Sequence, residues 1–321
     1  MISLSELQKY PLYKLQKYAG KQHIKGHYVK DIKHSDVLNL IISNNKYLLQ
    51  KKGLERNTVD KFYTEPLIVD ECIKQVKEQL DIDSSDIIIE PSAGNGSFIN
   101  GIKSLSSNCH FYDIEPESKN IIKQDYFEFD YKSIANDDNK KYHVIGNPPF
   151  GRQSSLAIKF IKKSCEYCDS ISFILPKSFK KDSLKKHFPP RFHLIFEDEL
   201  PNNSFVVNDK PHNVPCVFQI WLRKTTDREL PVKVAEKNYK FVKRNENPDI
   251  SFRRVGGTAG AISKDTKDKS EQSHHFITFD KKLSDTKYKQ LSTIEFGCKN
   301  NTVGPRSISK QEIIREFNKI L

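Results

Sequence analysis

The chain has 321 residues, carries 53 Lys and Arg against 41 Asp and Glu, and has a formal net charge of +12. That length allows roughly two domains and a substantial core. No apolar run approaches a membrane span, no signal-like start is present, and six Cys make no disulfide framework, so an intracellular protein, cytoplasmic or nuclear, without a membrane partner is expected.

The charge is uneven. Residues 1–60 carry +6, residues 61–223 carry −2, and residues 224–321 carry +8. A near-neutral middle between two basic flanks suits a phosphate backbone as partner, DNA or RNA. Residues 1–57 read as a basic helical extension. Leu4, Leu7, Leu12 and Leu15 give one helical pattern, and Val37, Leu38, Ile41 and Ile42 give another. A basic stretch, residues 21–33, separates them.

The middle region, residues 58–223, begins with Phe62-Tyr63-Thr64-Glu65-Pro66. An amphipathic helix follows through Leu67, Ile68, Ile73, Val76 and Leu80. Ile87-Ile88-Ile89 reads as a buried strand running into Glu90-Pro91-Ser92-Ala93-Gly94-Asn95-Gly96. Gly94 and Gly96 permit a tight turn and close ligand approach, and a helix is expected over residues 98–105. This strand, glycine loop and helix is how a doubly wound sheet holds an adenosyl group at the carboxyl ends of its strands. No Gly-Lys-Ser/Thr follows, so it is not a phosphate loop. The next strand, Cys109 to Tyr112, ends at Asp113-Ile114. Asp113 lies about twenty residues past the loop, the spacing at which a carboxylate meets a ribose diol. Ile121 to Phe127 follows, with Asp125, Tyr126 and Phe127.

Tyr142 to Ile145 reads as another buried strand, ended by Asn147-Pro148-Pro149-Phe150 and Gly151-Arg152. The prolines close the ladder and leave the Asn147 amide and a neighbouring carbonyl as two rigid acceptors, with Phe150 as an aromatic face for stacking. A helix over residues 155–165 and strands at 171–176, 193–196 and 214–222 complete the pattern. Residues 201–215, with Phe205, read as a long polar loop, either a substrate contact or a plain surface loop. Cys165 and Cys168 form a lone C-x-x-C without a second pair, so no metal is expected.

In residues 224–321, strand patterns at 240–243 and 274–279 flank a loop with Arg253, Arg254, Gly256, Gly257 and Gly260. Paired Arg beside Gly suits bidentate phosphate or base contact. Residues 264–273 are polar and read as mobile. Ser309-Lys310-Gln311-Glu312 is a capping box opening the last helix. This region reads as a basic target-recognition extension.

Taken together, Asn147-Pro148-Pro149-Phe150, the Glu90 to Gly96 loop, Asp113, and Tyr63-Thr64 with an interposed Glu65 resemble the motifs of S-adenosylmethionine-dependent methyltransferases acting on N6 of adenine. The likeness covers residues 58–223. It implies an α/β fold: a doubly wound Rossmann-like class I methyltransferase sheet with a terminal antiparallel hairpin, between a small helical N-terminal and an α+β C-terminal extension. It implies S-adenosyl-L-methionine held by Tyr63, Thr64, Glu90, Ser92, Gly94, Gly96, Asp113, Ile114, Asp125, Tyr126 and Asn147. Catalysis falls to Asn147, Pro148, Pro149 and Phe150, and substrate contact to Phe150, Arg152, Phe205, Arg253 and Arg254. The implied reaction is methyl transfer to the N6 amine of adenine in a nucleic acid, with a slight lean to DNA over RNA. A glutamine-amide N5 methyltransferase acting on protein, and a non-catalytic nucleic-acid-binding subunit, remain as alternatives.

Overall fold

Residues 62–134, 140–207 and 210–321 are described by a computed structural model, with positions 11, 12, 15, 16, 19, 33–37, 40 and 41 of the N-terminal segment. In that segment Leu15, Ala19, Val37 and Ile41 are buried on helical turns. Leu4, Leu7, Leu38, Ile42 and residues 21–32 of the basic stretch lie outside the described residues.

The central sheet has seven strands in the order β4-β3-β2-β5-β6-β10-β7. They are β2 (Ile87–Glu90), β3 (Asn108–Asp113), β4 (Ile122–Lys123), β5 (Tyr142–Gly146), β6 (Ser170–Pro176), β7 (Phe192–Glu199) and β10 (Cys216–Arg223). The pairs β4–β3, β3–β2, β2–β5 and β5–β6 are parallel, and β10 runs antiparallel to both β6 and β7. This is a Rossmann-like, mainly parallel sheet with an antiparallel end. Ile87, Ile88 and Ile89 are all fully buried because a parallel strand is covered on both faces. Ile88 packs toward α1 (Pro66–Gln79) and α2 (Ile99–Lys103), while Ile87 and Ile89 pack toward α3 (Ser155–Ser164).

Residues 201–215 depart from expectation. They hold a hairpin, β8 (Phe205–Val207) and β9 (Lys210–His212), and β8 pairs antiparallel with β1 (Tyr63–Thr64). Two short arms 140 residues apart in sequence, too short to stand alone, thus make a three-stranded sheet at the edge of the core.

The C-terminal part builds its own antiparallel sheet, β11 (Tyr239–Val242), β14 (His274–Phe279), β12 (Ile250–Arg253) and β13 (Ile262–Ser263). Against it lie α5 (Asp285–Ser292) and α6 (Lys310–Phe317), α6 opened by the capping box of Ser309 and Glu312. Between the core's α4 (Asp182–Lys185) and these elements run Arg315 Nη1 to Asp182 Oδ2 at 2.9 Å and Lys181 Nζ to the Ser307 carbonyl at 2.6 Å. Residues 264–273 are tied in place: Ser251 Oγ donates to the Asp265 carbonyl at 2.8 Å and Lys269 pairs with Asp265.

At the amino ends of the parallel strands sits a buried polar knot. His143 Nδ1 lies 2.7 Å from Ser170 Oγ and Nε2 lies 3.3 Å from Asp86 Oδ2. Asp86 also accepts from the Asp83 and Lys141 amides. Nε2 therefore carries the proton and Nδ1 accepts from the Ser170 hydroxyl. Burial holds the His143 imidazole below its usual range. The folded chain prefers the neutral ring, so stability is full above the ordinary imidazole range and falls as pH drops through it. The thermal midpoint is expected to fall between about pH 7 and about pH 5. His143→Gln is expected to flatten that slope, as calorimetry at stepped pH would show.

Candidate active site at the carboxyl edge of the sheet

The carboxyl ends of β2, β3 and β5 lie side by side, and each releases a loop carrying polar groups. In the loop after β2, Gly94 and Gly96 take φ of +52° and +90°, which L side chains resist. A Cβ at Gly94 would meet Tyr63 Cε1 at 3.3 Å, so the Tyr63 ring closes directly over the turn. The Tyr63 hydroxyl bonds to Glu117 Oε1.

Asp113 fastens two loops together. Its Oδ2 accepts from the Gly94 amide at 2.7 Å and its Oδ1 from the Glu115 amide at 2.8 Å. Each oxygen keeps a lone pair for a hydroxyl donor. Beside it Ile114 is 52 % exposed, an apolar side chain left open at the rim. The Gln124 amide donates to the Asp113 carbonyl at 2.9 Å, and Asp125 Oδ1 accepts from the Phe127 amide at 2.9 Å. Tyr126 is corrected from its expected place. It is 2 % exposed, with its hydroxyl bonded to Ser164 Oγ and Tyr167 Oη under α3. Phe127, 41 % exposed, is the aromatic that remains open next to Asp125.

Glu90 ends β2 and is 2 % exposed. Burial, and secondarily the charge of Asp113, pushes its carboxyl up to about 8. Its Oε2 is buried and makes no hydrogen bond. Gly146 leaves it room, since a Cβ there would meet Glu90 Cγ at 3.2 Å.

Asn147 follows Gly146. Its Nδ2 donates to the Phe62 carbonyl at 3.1 Å and to Thr64 Oγ1 at 3.3 Å. A carbonyl can only accept, so the amide cannot sit the other way round. Oδ1 is thereby left buried and unpartnered. Ser92 Oγ donates to the Asn147 carbonyl at 3.3 Å, joining the glycine loop to the loop after β5.

Phe150 is not an open platform. It is 7 % exposed and its ring stacks on Phe62, centroids 6.3 Å apart. His212 stacks on the same Phe62 ring at 5.3 Å. The Phe150 carbonyl accepts from the Leu156 and Ala157 amides at the start of α3. Between them, Gly151, Gln153 and Ser154 take φ of +67°, +53° and +61°. Two non-glycine residues in the left-handed region cost about 1–3 kcal/mol each, and they hold Arg152 exposed at the apex of this turn.

Phe205 is corrected as well. It is fully buried beneath Phe62 and its backbone pairs with Thr64, so it supports the site and does not face a substrate. Arg253 and Arg254 spend their Nε atoms on the carbonyls of Val255 and Gln272, at 2.8 and 3.1 Å. That bonding braces the glycine loop of the C-terminal part. Sequence reading missed Phe62, Ser204 and His212. The signal was present in Phe205-Val206-Val207, a β-forming run inside a stretch rich in Asn and Pro. No group of three or more His, Cys, Asp or Glu that could hold a metal occurs among the described residues, and no helix among them is long and apolar enough to cross a membrane.

No protein-family model matches the chain. It is 28 % identical over 118 residues to ribosomal RNA small subunit methyltransferase A of Francisella tularensis subsp. novicida, covering 33 % of this chain and 45 % of that protein. The same enzyme of F. tularensis subsp. tularensis is 27 % identical over the same shares. The chain thus spans about half the length of these curated relatives. A solved dimethyladenosine transferase from Plasmodium falciparum aligns at 17 % identity and a TM-score of 0.35, over 50 % of this chain and 63 % of that one. So distant an alignment carries no argument of its own.

The two orphaned oxygens and the glycine turns fit a cationic adenosyl ligand. Glu90 makes this testable without activity. Because the folded chain holds this proton more tightly than the unfolded one, stability is full below the ordinary carboxylate range and falls as pH rises toward about 8. Glu90→Gln removes that loss, roughly 3–5 kcal/mol at alkaline pH. The ligand-free variant is expected to melt higher than wild type near pH 9 and no higher near pH 4. It is also expected to bind S-adenosylmethionine about 10- to 100-fold more weakly, both measured by calorimetry.

Proposed function

We propose that this chain is an S-adenosylmethionine-dependent methyltransferase that acts on the N6 amine of adenine in RNA. The observation that carries the reading is Asn147 Oδ1, a buried acceptor that its own amide nitrogen's bonds hold without a partner. An exocyclic amine has two N–H groups to place. Asn147 Oδ1 takes one, and the Pro148 carbonyl, fixed by the double proline, takes the other. Both hydrogens are then drawn into one plane and the nitrogen lone pair is left pointing out of it.

S-adenosylmethionine supplies a methyl carbon made electrophilic by a sulfonium that leaves as a neutral thioether. Glu90 Oε2 suits its ammonium group, Asp113 its ribose hydroxyls, and Ile114, Asp125 and Phe127 its adenine, with Tyr63 and Gly94 at the turn. When the amine bonds to carbon, the carbon–sulfur bond breaks and one amine proton leaves to solvent. The chain's work is positioning and desolvation.

The polymer is taken as RNA because the curated relatives are named as ribosomal RNA methyltransferases. This replaces the sequence lean to DNA. The basic flanks support a phosphate backbone. So does a cleft of about 710 Å³ between α4 and α6, whose rim carries Lys186, Lys233 and Lys310. Among the described residues Lys186 and Lys233 make no ion pair with a carboxylate, and both are exposed.

Labelled-methyl transfer to RNA and DNA oligonucleotides, followed by nucleoside mass spectrometry, tests the reading. N6-methylated adenosine is the expected product, and label in protein alone would redirect the assignment to a glutamine amide. Asn147→Ala is expected to lower the rate by about 100-fold or more with cofactor binding retained. Lys186→Ala with Lys233→Ala is expected to weaken RNA binding and to lower its logarithmic salt slope by about 1 per lysine, measured by filter binding across a salt series.

A further inference from the structure

We infer that Thr64 is a positioning residue for the Asn147 amide and not a ligand of the cofactor, and that the pairing of β1 with β8 holds it there. The inference rests on the methyl-transfer reading above. Three observations carry it. The Asn147 Nδ2 group has two hydrogens and two partners, the Phe62 carbonyl at 3.1 Å and Thr64 Oγ1 at 3.3 Å, so its donors are used up. Thr64 is 4 % exposed, leaving its hydroxyl little access to anything else. Its backbone is pinned from the far side: Thr64 pairs with Phe205, and the Glu65 amide donates to the Ser204 carbonyl at 3.0 Å.

The alternative amide orientation shows what this arrangement prevents. Turned over, Asn147 would set Oδ1 against the Phe62 carbonyl, two acceptors face to face at about hydrogen-bond distance, and would aim N–H groups at an amine that itself needs acceptors. Phe62 O excludes that state and Thr64 Oγ1 removes the residual freedom by taking the second hydrogen. The interposed Glu65, which separates Thr64 from Pro66, lengthens the segment and provides the amide that reaches Ser204. The β8–β9 hairpin therefore acts on Asn147 through β1, by its pairing with Thr64 and by the packing of Phe205 and His212 on the Phe62 ring.

Thr64→Val keeps the shape and removes the acceptor, and Thr64→Ser keeps the acceptor. At saturating cofactor, T64V is expected to lower kcat about 10-fold, with the cofactor Kd and the KM for RNA unchanged, and T64S is expected to restore kcat. In nitrogen-15-labelled protein, the Asn147 side-chain amide hydrogens are expected to exchange slowly with solvent in wild type and T64S and faster in T64V. Asn147→Asp gives an independent reading. Only its protonated form can donate to the Phe62 carbonyl, so its residual activity is expected to rise as pH falls, unlike wild type. A T64V enzyme with unchanged kcat and unchanged amide exchange overturns the inference. So does a raised cofactor Kd with full kcat, which would return Thr64 to the cofactor. A wild-type chain that methylates no RNA counts against the functional reading instead, and amide exchange in T64V then still decides the role of Thr64.

Discussion

Parallel pairing of β2 with β5 is the constraint from which the site follows. Ile87, Ile88 and Ile89 register against Tyr142, His143 and Val144, so the two strands end together and deliver Glu90 and Asn147 to one edge. Parallel strands need covered crossovers, which send every βα loop to the same rim. Once that register holds, the remaining contacts are short-range. Ser92 reaches Asn147, Asp113 reaches Gly94, and Gly146 makes room for Glu90. The His143, Asp86 and Ser170 knot locks the same strands at their other ends, where a slip of one residue would leave three buried polar groups without partners.

The core and the loop after β5 were legible because their signals are local. A continuous apolar run means a doubly covered strand, glycines after it mean a ligand turn, and Pro148-Pro149 can only end a ladder. What was not legible depends on long-range pairing or on which side of a segment faces inward. Tyr126 and Phe127 are adjacent aromatics in a segment without periodicity, and only the packing of Tyr126 on Phe160, Ser164 and Tyr167 separates them. Phe205 lies in a stretch with the composition of a loop, and its strand exists because β1 offers it an edge. Arg253 and Arg254 look like phosphate ligands by composition. Yet open backbone carbonyls, of Val255 beside the glycines and of Gln272 in a separate segment, accept from these guanidinium groups.

The two orphaned oxygens give the site a thermodynamic direction. A buried acceptor without a partner costs about 1–3 kcal/mol, and a buried carboxyl costs more when ionised. Glu90 Oε2 and Asn147 Oδ1 both carry that cost in the ligand-free chain, and the left-handed Gln153 and Ser154 add strain beside them. None of these features helps the fold. The two oxygens are met by what the proposed reaction brings, an ammonium for Glu90 and an amine for Asn147.

The unpartnered Oδ1 is also the reason the Asn147 amide needs two anchors. An unpartnered acceptor will turn toward any donor it can reach, and a side-chain amide turns about a single bond. Without the Phe62 carbonyl, Asn147 could rotate its oxygen toward the Thr64 hydroxyl and relieve the orphan internally, at the expense of the acceptor that the amine of the proposed reaction requires. Filling both Nδ2 hydrogens closes that escape. In the proposed reaction the cost at Oδ1 is then retained until the substrate amine arrives, which is the condition for its hydrogen bond to favour binding in the reactive geometry over binding in any other.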